Sequence, residues 1–301
     1  RLGREIASRL GVPAVEVQHH HAHAAACMAE HGVDEALALA FDGTGLGPDG
    51  TIWGAELLHL PDAATCRRLG SFVPAALPGG DAAVLEPRRQ LVARWSALGL
   101  PPDAGVCTRL GVDEVAAALW ARQASGGLNA PSSHAAGRLF DAAAAALGLA
   151  PDRVSYEGQT AIRFEGFAAR AAAAPPRGIG CPHSGDGWFS ARTDGPMLWI
   201  DWAPFFRRIH AEPPRPAEAP ARALAFHEAV ARAALRMADH GRERTRCAVV
   251  ALTGGVFMNR ILHERVGALL RAAGFRVLAH SEIPPNDGGV AFGQAVVAGL
   301  A

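Results

Sequence analysis

Apolar residues along this chain change their spacing several times, and each change predicts an element. Leu2, Ile6 and Leu10 recur at helical spacing among Arg4, Glu5 and Arg9, which predicts an amphipathic helix at the start. Residues 35–41 (Glu-Ala-Leu-Ala-Leu-Ala-Phe) are a short, nearly continuous apolar run and predict a buried strand. That strand leads into a Gly-rich turn, Asp42-Gly43-Thr44-Gly45. A second turn at Gly47-Pro48-Asp49-Gly50 and a returning strand over 51–58 complete a hairpin. Helices are predicted at 113–124, at 137–149 closing near Gly148, and at 222–240 ending at Gly241. A strand–turn–helix–strand unit follows. Cys247 to Leu252 is a strand, Thr253-Gly254-Gly255 a tight turn, 256–273 a helix and 276–280 the next strand. Pro284-Pro285-Asn286-Asp287 reads as a loop before an apolar helix to Ala301. Two stretches, about 58–112 and 171–220, read as irregular insertions; the second holds four prolines between 213 and 220.

Composition narrows the function classes. The chain has 301 residues, 50% hydrophobic and 19% charged, enough for two lobes with cores of their own. Lys+Arg and Asp+Glu both number 29, so no charge excess points to nucleic acid or an anionic membrane. No apolar run reaches transmembrane length and no secretory signal is read. Five cysteines (Cys27, Cys66, Cys107, Cys181, Cys247) lie scattered without a Cys-x-x-Cys pair, which fits reduced thiols in a cytoplasm. The chain begins at Arg1 and enters a helical pattern at once, as the middle of a larger polypeptide does.

The chemistry centres on His19-His20-His21-Ala22-His23. His19 and His23 are four apart, so a helix places both rings on one face, where they can share a divalent metal. A surface His-rich tract is the competing reading. Two histidines rarely hold a metal alone, so a third ligand is needed. Asp287 is the best candidate, with a helix N-cap as its other reading; Asp42 is a second, with turn formation as its other reading. Glycine-rich turns after strands leave backbone N–H groups free for phosphate, which makes Gly43, Gly45, Gly254 and Gly255 candidates, with Thr44 and Asn259 adding side-chain hydrogen bonds. Two such turns facing each other across a cleft would clamp one phosphorylated ligand. Arg138 and Asp141, three apart on a helix, either pair with each other or leave Asp141 for a ribose hydroxyl. Glu157 sits in a compact polar turn with the single Tyr, and His134, His183 and His227 read as structural or surface residues. No P-loop or Gly-x-Ser-x-Gly elbow is present.

Taken together, these segments resemble the HypF family, carbamoyltransferases of nickel–iron hydrogenase maturation. The resemblance rests on Gln18-His19-His20-His21-Ala22-His23 through Glu30, on Phe41-Asp42-Gly43-Thr44-Gly45 with Gly50-Thr51-Ile52-Trp53-Gly54, and on Leu77-Pro78-Gly79-Gly80-Asp81-Ala82-Ala83. It continues in Gly137-Arg138-Leu139-Phe140-Asp141-Ala142, Ser155-Tyr156-Glu157-Gly158-Gln159, Leu252-Thr253-Gly254-Gly255-Val256-Phe257 with Asn259, and Pro284-Pro285-Asn286-Asp287-Gly288-Gly289 with Gly293-Gln294-Ala295. The chain departs from the family at Met258, commonly Gln, and in the spacing between Ser132-Ser133 and Gly137.

The resemblance implies an α/β actin/Hsp70-like ATPase fold with two lobes and a nucleotide in the cleft. Residues 1–36 would be the tail of a truncated first lobe carrying the His motif, and 37–301 the second lobe. It implies a divalent metal, iron or zinc, on His19, His23 and Asp287, which are then also the catalytic residues. ATP, AMP or carbamoyl-adenylate would bind at Asp42, Gly43, Thr44, Gly45, Gly137, Arg138, Asp141, Glu157, Gly254, Gly255 and Asn259. The implied reaction passes a carbamoyl group from carbamoyl-adenylate to the C-terminal cysteine of a HypE-like partner, for the cyanide ligands of hydrogenase. Upstream acylphosphatase, zinc-binding and adenylate-forming domains would complete the protein. A stand-alone O-carbamoyltransferase acting on a small-molecule hydroxyl and an inactive nucleotide- or partner-binding module are the alternatives.

Overall fold

The computed structural model describes residues 2–173 and 187–300; Cys181, His183 and part of the predicted 171–220 excursion lie outside them. Helices α1 (Leu2–Leu10) and α2 (His19–His31) precede strands β1 (Ala36–Leu46), β2 (Ile52–Asp62), β3 (Thr65–Phe72) and β4 (Ala75–Ala76). Helices α3 (Asp81–Leu85), α4 (Pro87–Ala97), α5 (Ala104–Leu110) and α6 (Glu114–Gly126) follow, then β5 (Ser132–Ser133), α7 (Ala136–Ala146) and α8 (Gln159–Ala173). After the gap come β6 (Ser190–Asp194), β7 (Met197–Asp201), α9 (Ala203–Ala211), α10 (Ala219–Thr245), β8 (Val249–Thr253), α11 (Arg260–Ala272), β9 (Arg276–Ala279) and α12 (Val290–Leu300). Single 3-10 turns at Gly255–Met258 and Asp287–Gly289 open α11 and α12.

The strands form one sheet in the order β6-β7-β3-β2-β1-β8-β9. β1 lies antiparallel to β2 and parallel to β8, with Leu37 beside Val250 and Ala40 beside Thr253. The first half of β1, Ala36–Phe41, is buried on both faces, which is why it is apolar without alternation. Leu37, Leu39 and Phe41 face the larger core with α7 and α10. Ala38 and Ala40 face the other way, where they meet Ala24, Cys27 and Met28 of α2. Alanines on that side let α2 approach the sheet closely.

α2 is closed at both ends. The Gln18 side chain accepts from His21 N at 2.9 Å, and Gly32, at φ 58°, turns its N–H back onto Ala29 and Met28. The carboxyl ends of β1 and β8 and the start of α2 therefore meet at one place, the edge where ligands bind in sheets of this kind.

Four predicted features differ. The Asp42–Gly45 segment is not a turn: β1 continues to Leu46, with a register shift between Phe41 and Gly45 that marks a bulge, and the hairpin turn lies at 47–50. The stretch 58–112 is ordered secondary structure rather than an irregular insertion: it holds the end of β2, then β3, β4, α3, α4 and α5. The described part of 171–220 is the β6–β7 hairpin and α9, and Pro220 sits in the first turn of α10, where a missing N–H costs nothing. Gly241 does not end α10. The helix runs on to Thr245, and glycine stands at 241 for packing: a Cβ there would be 2.8 Å from both Leu37 methyls, so its absence lets α10 lie close on β1.

Candidate metal and nucleotide site

His19 and His23 lie one turn apart on α2, with their Nε2 atoms 3.2 Å from each other. Asp42 Oδ2, from the end of β1, is 3.0 Å from His19 Nε2 and 3.4 Å from His23 Nε2. Asp287 Oδ1, from the loop before α12, is 3.3 and 3.6 Å from the same two nitrogens. One ligand atom from each of the four residues falls within 4.8 Å of the others. Two imidazole nitrogens this close cannot both donate to each other, and these four residues could together hold one divalent cation. A set of two nitrogens and two oxygens suits zinc or ferrous iron. Burial alone would raise the Asp42 carboxyl, but hydrogen bonds from His19 and His23 outweigh it and hold the group well below the usual carboxylate range. The same Asp42 contact raises His19 above its ordinary value, against the effect of burial.

Backbone groups aim the Asp42 carboxylate. Asp42 Oδ1 accepts from Gly43 N at 2.8 Å and from Gly255 N at 3.3 Å. Asn286, rather than Asp287, takes the N-cap role, accepting from Gly288 N at 3.1 Å and leaving Asp287 to face the imidazoles. Asp42, the second acidic candidate in the sequence, with turn formation as its other reading and a nucleotide role by resemblance, lies with Asp287 beside the two imidazoles.

His20 and His21 seat the motif. His21 Nε2 donates to Ala63 O at 2.8 Å. Gln18 Nε2 donates to His20 Nδ1 at 3.0 Å, and the His20 ring lies 6.2 Å from that of Trp53, which is capped by the Arg68 guanidinium at 4.0 Å. Gly45 makes room for this ring: a Cβ there would stand 2.4 Å from His20 Cε1.

The predicted nucleotide residues divide into groups. Gly43 and Gly137 touch, since a Cβ on Gly137 would stand 2.9 Å from Gly43 Cα. Arg138 Nη1 pairs with Asp141 Oδ2 at 3.1 Å, and its Nη2 lies 3.6 Å from a Cβ placed on Gly43. The pairing alternative therefore holds for Asp141. It is buried, is also bonded to Gln90 at 3.3 Å, and has its carboxyl raised by burial against the pull of Arg138. Gly254 and Gly255 lie beside Asp42, directly after the neighbouring parallel strand β8, so the two glycine segments stand side by side and not across a cleft. Asn259 is committed elsewhere, because its Oδ1 caps α11 at Leu262 N and its Nδ2 donates to His227 Nε2 at 2.9 Å. Thr44 and Glu157 are exposed.

A second network, unmarked in the sequence, anchors α2 from its other end. Glu30 accepts from Ser281 N and Glu282 N, each at 2.7 Å, and from Ser281 Oγ at 2.6 Å. It also meets His280 Nδ1 at 3.2 Å; His280 Nε2 is 2.8 Å from Thr253 Oγ1, which donates to His23 O at 3.2 Å. Burial acts to raise Glu30, yet the Ser281 hydroxyl, the backbone N–H groups and His280 pull it down to about 2. A carboxyl lowered on folding contributes stability above its unfolded value, and loses it as pH falls toward 2. Urea midpoints of the wild type are therefore expected to fall between about pH 4.5 and 2, and Glu30→Gln is expected to flatten that slope.

Comparison with known proteins shows the family. Residues 38–294 match the family described as "Carbamoyltransferase, Kae1-like Domain, second subdomain", and residues 2–30 match "HypF Kae1-like domain". Carbamoyltransferase HypF2 of Cupriavidus necator is 40% identical over 99% of this chain and 38% of its own length. A HypF homolog from the same organism is 40% identical over 99% of this chain and 74% of its own. The chain thus spans under two-fifths of HypF2. A crystal structure of full-length HypF in a phosphate- and nucleotide-bound form superposes with a TM-score of 0.82 at 29% identity, covering 99% of this chain and 37% of that one. The actin/Hsp70-like fold expected from the motifs is therefore present, and the chain belongs to the HypF carbamoyltransferase family, of which it carries the Kae1-like domain.

Proposed function

We propose that this chain transfers a carbamoyl group from carbamoyl-adenylate to the C-terminal cysteine thiolate of a HypE-like partner. The convergence of His19, His23, Asp42 and Asp287 beside Arg138 carries this reading. In it, residues 1–36 close a first lobe and 37–301 form the second, and neighbouring domains of a longer protein make the adenylate. A divalent cation held by the four residues would supply Lewis acidity to a carbonyl or phosphate oxygen. Arg138, braced from behind by Asp141, offers Nη2 to a phosphate lying over Gly43. The thiolate attacks the carbamoyl carbon, a C–S bond forms, and the anhydride C–O bond breaks to release AMP. Cys27, the thiol nearest in sequence, is no substitute nucleophile: burial, helped by Glu30, pushes it up to about 12.

The test is carbamoyl transfer from carbamoyl-adenylate to a HypE C-terminal peptide, followed by mass. Arg138→Ala is expected to lower the rate by about 100-fold with metal content unchanged. Transfer to a small-molecule hydroxyl but not to the peptide would favour the O-carbamoyltransferase alternative. Metal binding without transfer to either acceptor would leave a binding module.

A further inference from the structure

We propose that a cavity behind the first turn of α7 is a second ligand site, built for a small carboxylate on an apolar body. The cavity holds about 210 Å³ and lies between the ends of β3 and β7, the last turn of α4, and α9. Phe72, Leu139 and Phe206 give it an apolar wall, and Arg94 lines it from α4.

The Arg94 guanidinium donates to Gln90 O at 3.3 Å and stands 5.6 Å from the Phe206 ring centroid. Among the described residues no carboxylate forms an ion pair with it. Asp141, the acid that most favours its charge, is taken by Arg138 at 3.1 Å. Asp201, also in the lining, accepts from Ala203 N at 2.9 Å to open α9. Burial draws Arg94 down to about 10, so it remains a cation at neutral pH. A half-buried cation with no ion-pair partner is costly to keep partly out of water, and an anion entering the cavity offsets that cost.

Two further polar groups share the lining. Trp202 is 5% exposed and its buried indole N–H has no partner. His134 Nδ1 donates to Phe72 O at 2.7 Å, which leaves Nε2 as an acceptor. Guanidinium and indole donors suit carboxylate oxygens, and the imidazole suits a hydroxyl or amine on the same molecule. Ala135 of the lining packs against Gly54, where a Cβ would stand 2.9 Å from it and 2.8 Å from Asp42 O. One layer of backbone therefore separates an occupant from the strand that carries Asp42.

Benzoate and its neutral analogue benzamide, titrated calorimetrically into the full chain, test the proposal. Benzoate is expected to bind one to one, about tenfold tighter than benzamide, and Arg94→Gln should bring it down to the benzamide level. Trp202→Phe, which keeps the wall, is expected to weaken benzoate by a smaller factor. Equal binding of the two probes, no benzoate binding, or an unchanged affinity in Arg94→Gln would overturn the proposal. Should Arg94→Gln not fold, the contrast between the two probes on the wild type decides alone.

Discussion

Asp42→Asn is expected to weaken zinc binding by about 100-fold, close to 2.7 kcal/mol, and more than Asp287→Asn does. The asparagine keeps the oxygen that accepts from Gly43 N, so the bulge retains its shape, while the second oxygen, 3.0 Å from His19 Nε2, becomes a neutral amide. The two acids differ in preorganisation. Asp42 is 11% exposed and held by two backbone N–H groups, whereas Asp287 is 76% exposed on a loop. A ligand already fixed loses little freedom on binding metal, so removing it costs more. Competition with a chromogenic chelator measures the affinity, and thermal unfolding confirms that the variant is folded. Wild-type zinc affinity in Asp42→Asn, with AMP binding lost, would return Asp42 to the nucleotide role that its sequence context suggests.

What the sequence revealed, and what it hid, follows from how far each feature depends on distant contacts. The His19–His23 pair is a local fact: four residues on a helix put two rings on one face whatever surrounds them. The start of β1 and the β8–α11–β9 unit are readable because burial on both faces leaves a continuous apolar run at Ala36–Phe41 and at Val249–Leu252. The β6–β7 hairpin was hidden because β6 is an exposed edge strand with no apolar face to advertise it. Gly241 looked like a helix stop, and only the position of Leu37, two hundred residues earlier, explains why it is not one. The site behaves in the same way. Asp287 comes within view through a motif, but the approach of Asp42 to both imidazoles depends on how α2 packs on β1, which no local pattern encodes. Asn259 looked available for a ligand until α10 supplied His227 as its partner.

Gly293→Ala is expected to cost about 3 kcal/mol of stability and to weaken metal binding at the same time. α12 crosses α2 so closely that a Cβ on Gly293 would stand 1.9 Å from Ala22 O and 2.6 Å from its carbonyl carbon. Both are backbone atoms of the helix that carries the histidines, so no side-chain rotation relieves the clash. The helices must separate, and the loop bearing Asp287, directly before α12, moves with them. The loss should therefore appear in two independent readouts, the urea midpoint and the zinc affinity. Gly299→Ala in the same helix is the control, since nothing lies within 4 Å of its Cβ position, and the greater helix propensity of alanine should leave stability unchanged or raised by about 0.5 kcal/mol. Equal midpoints for the two variants would show that α12 does not depend on this contact with α2. A destabilised Gly293→Ala that keeps wild-type zinc affinity would instead separate the packing of α12 from the placement of Asp287.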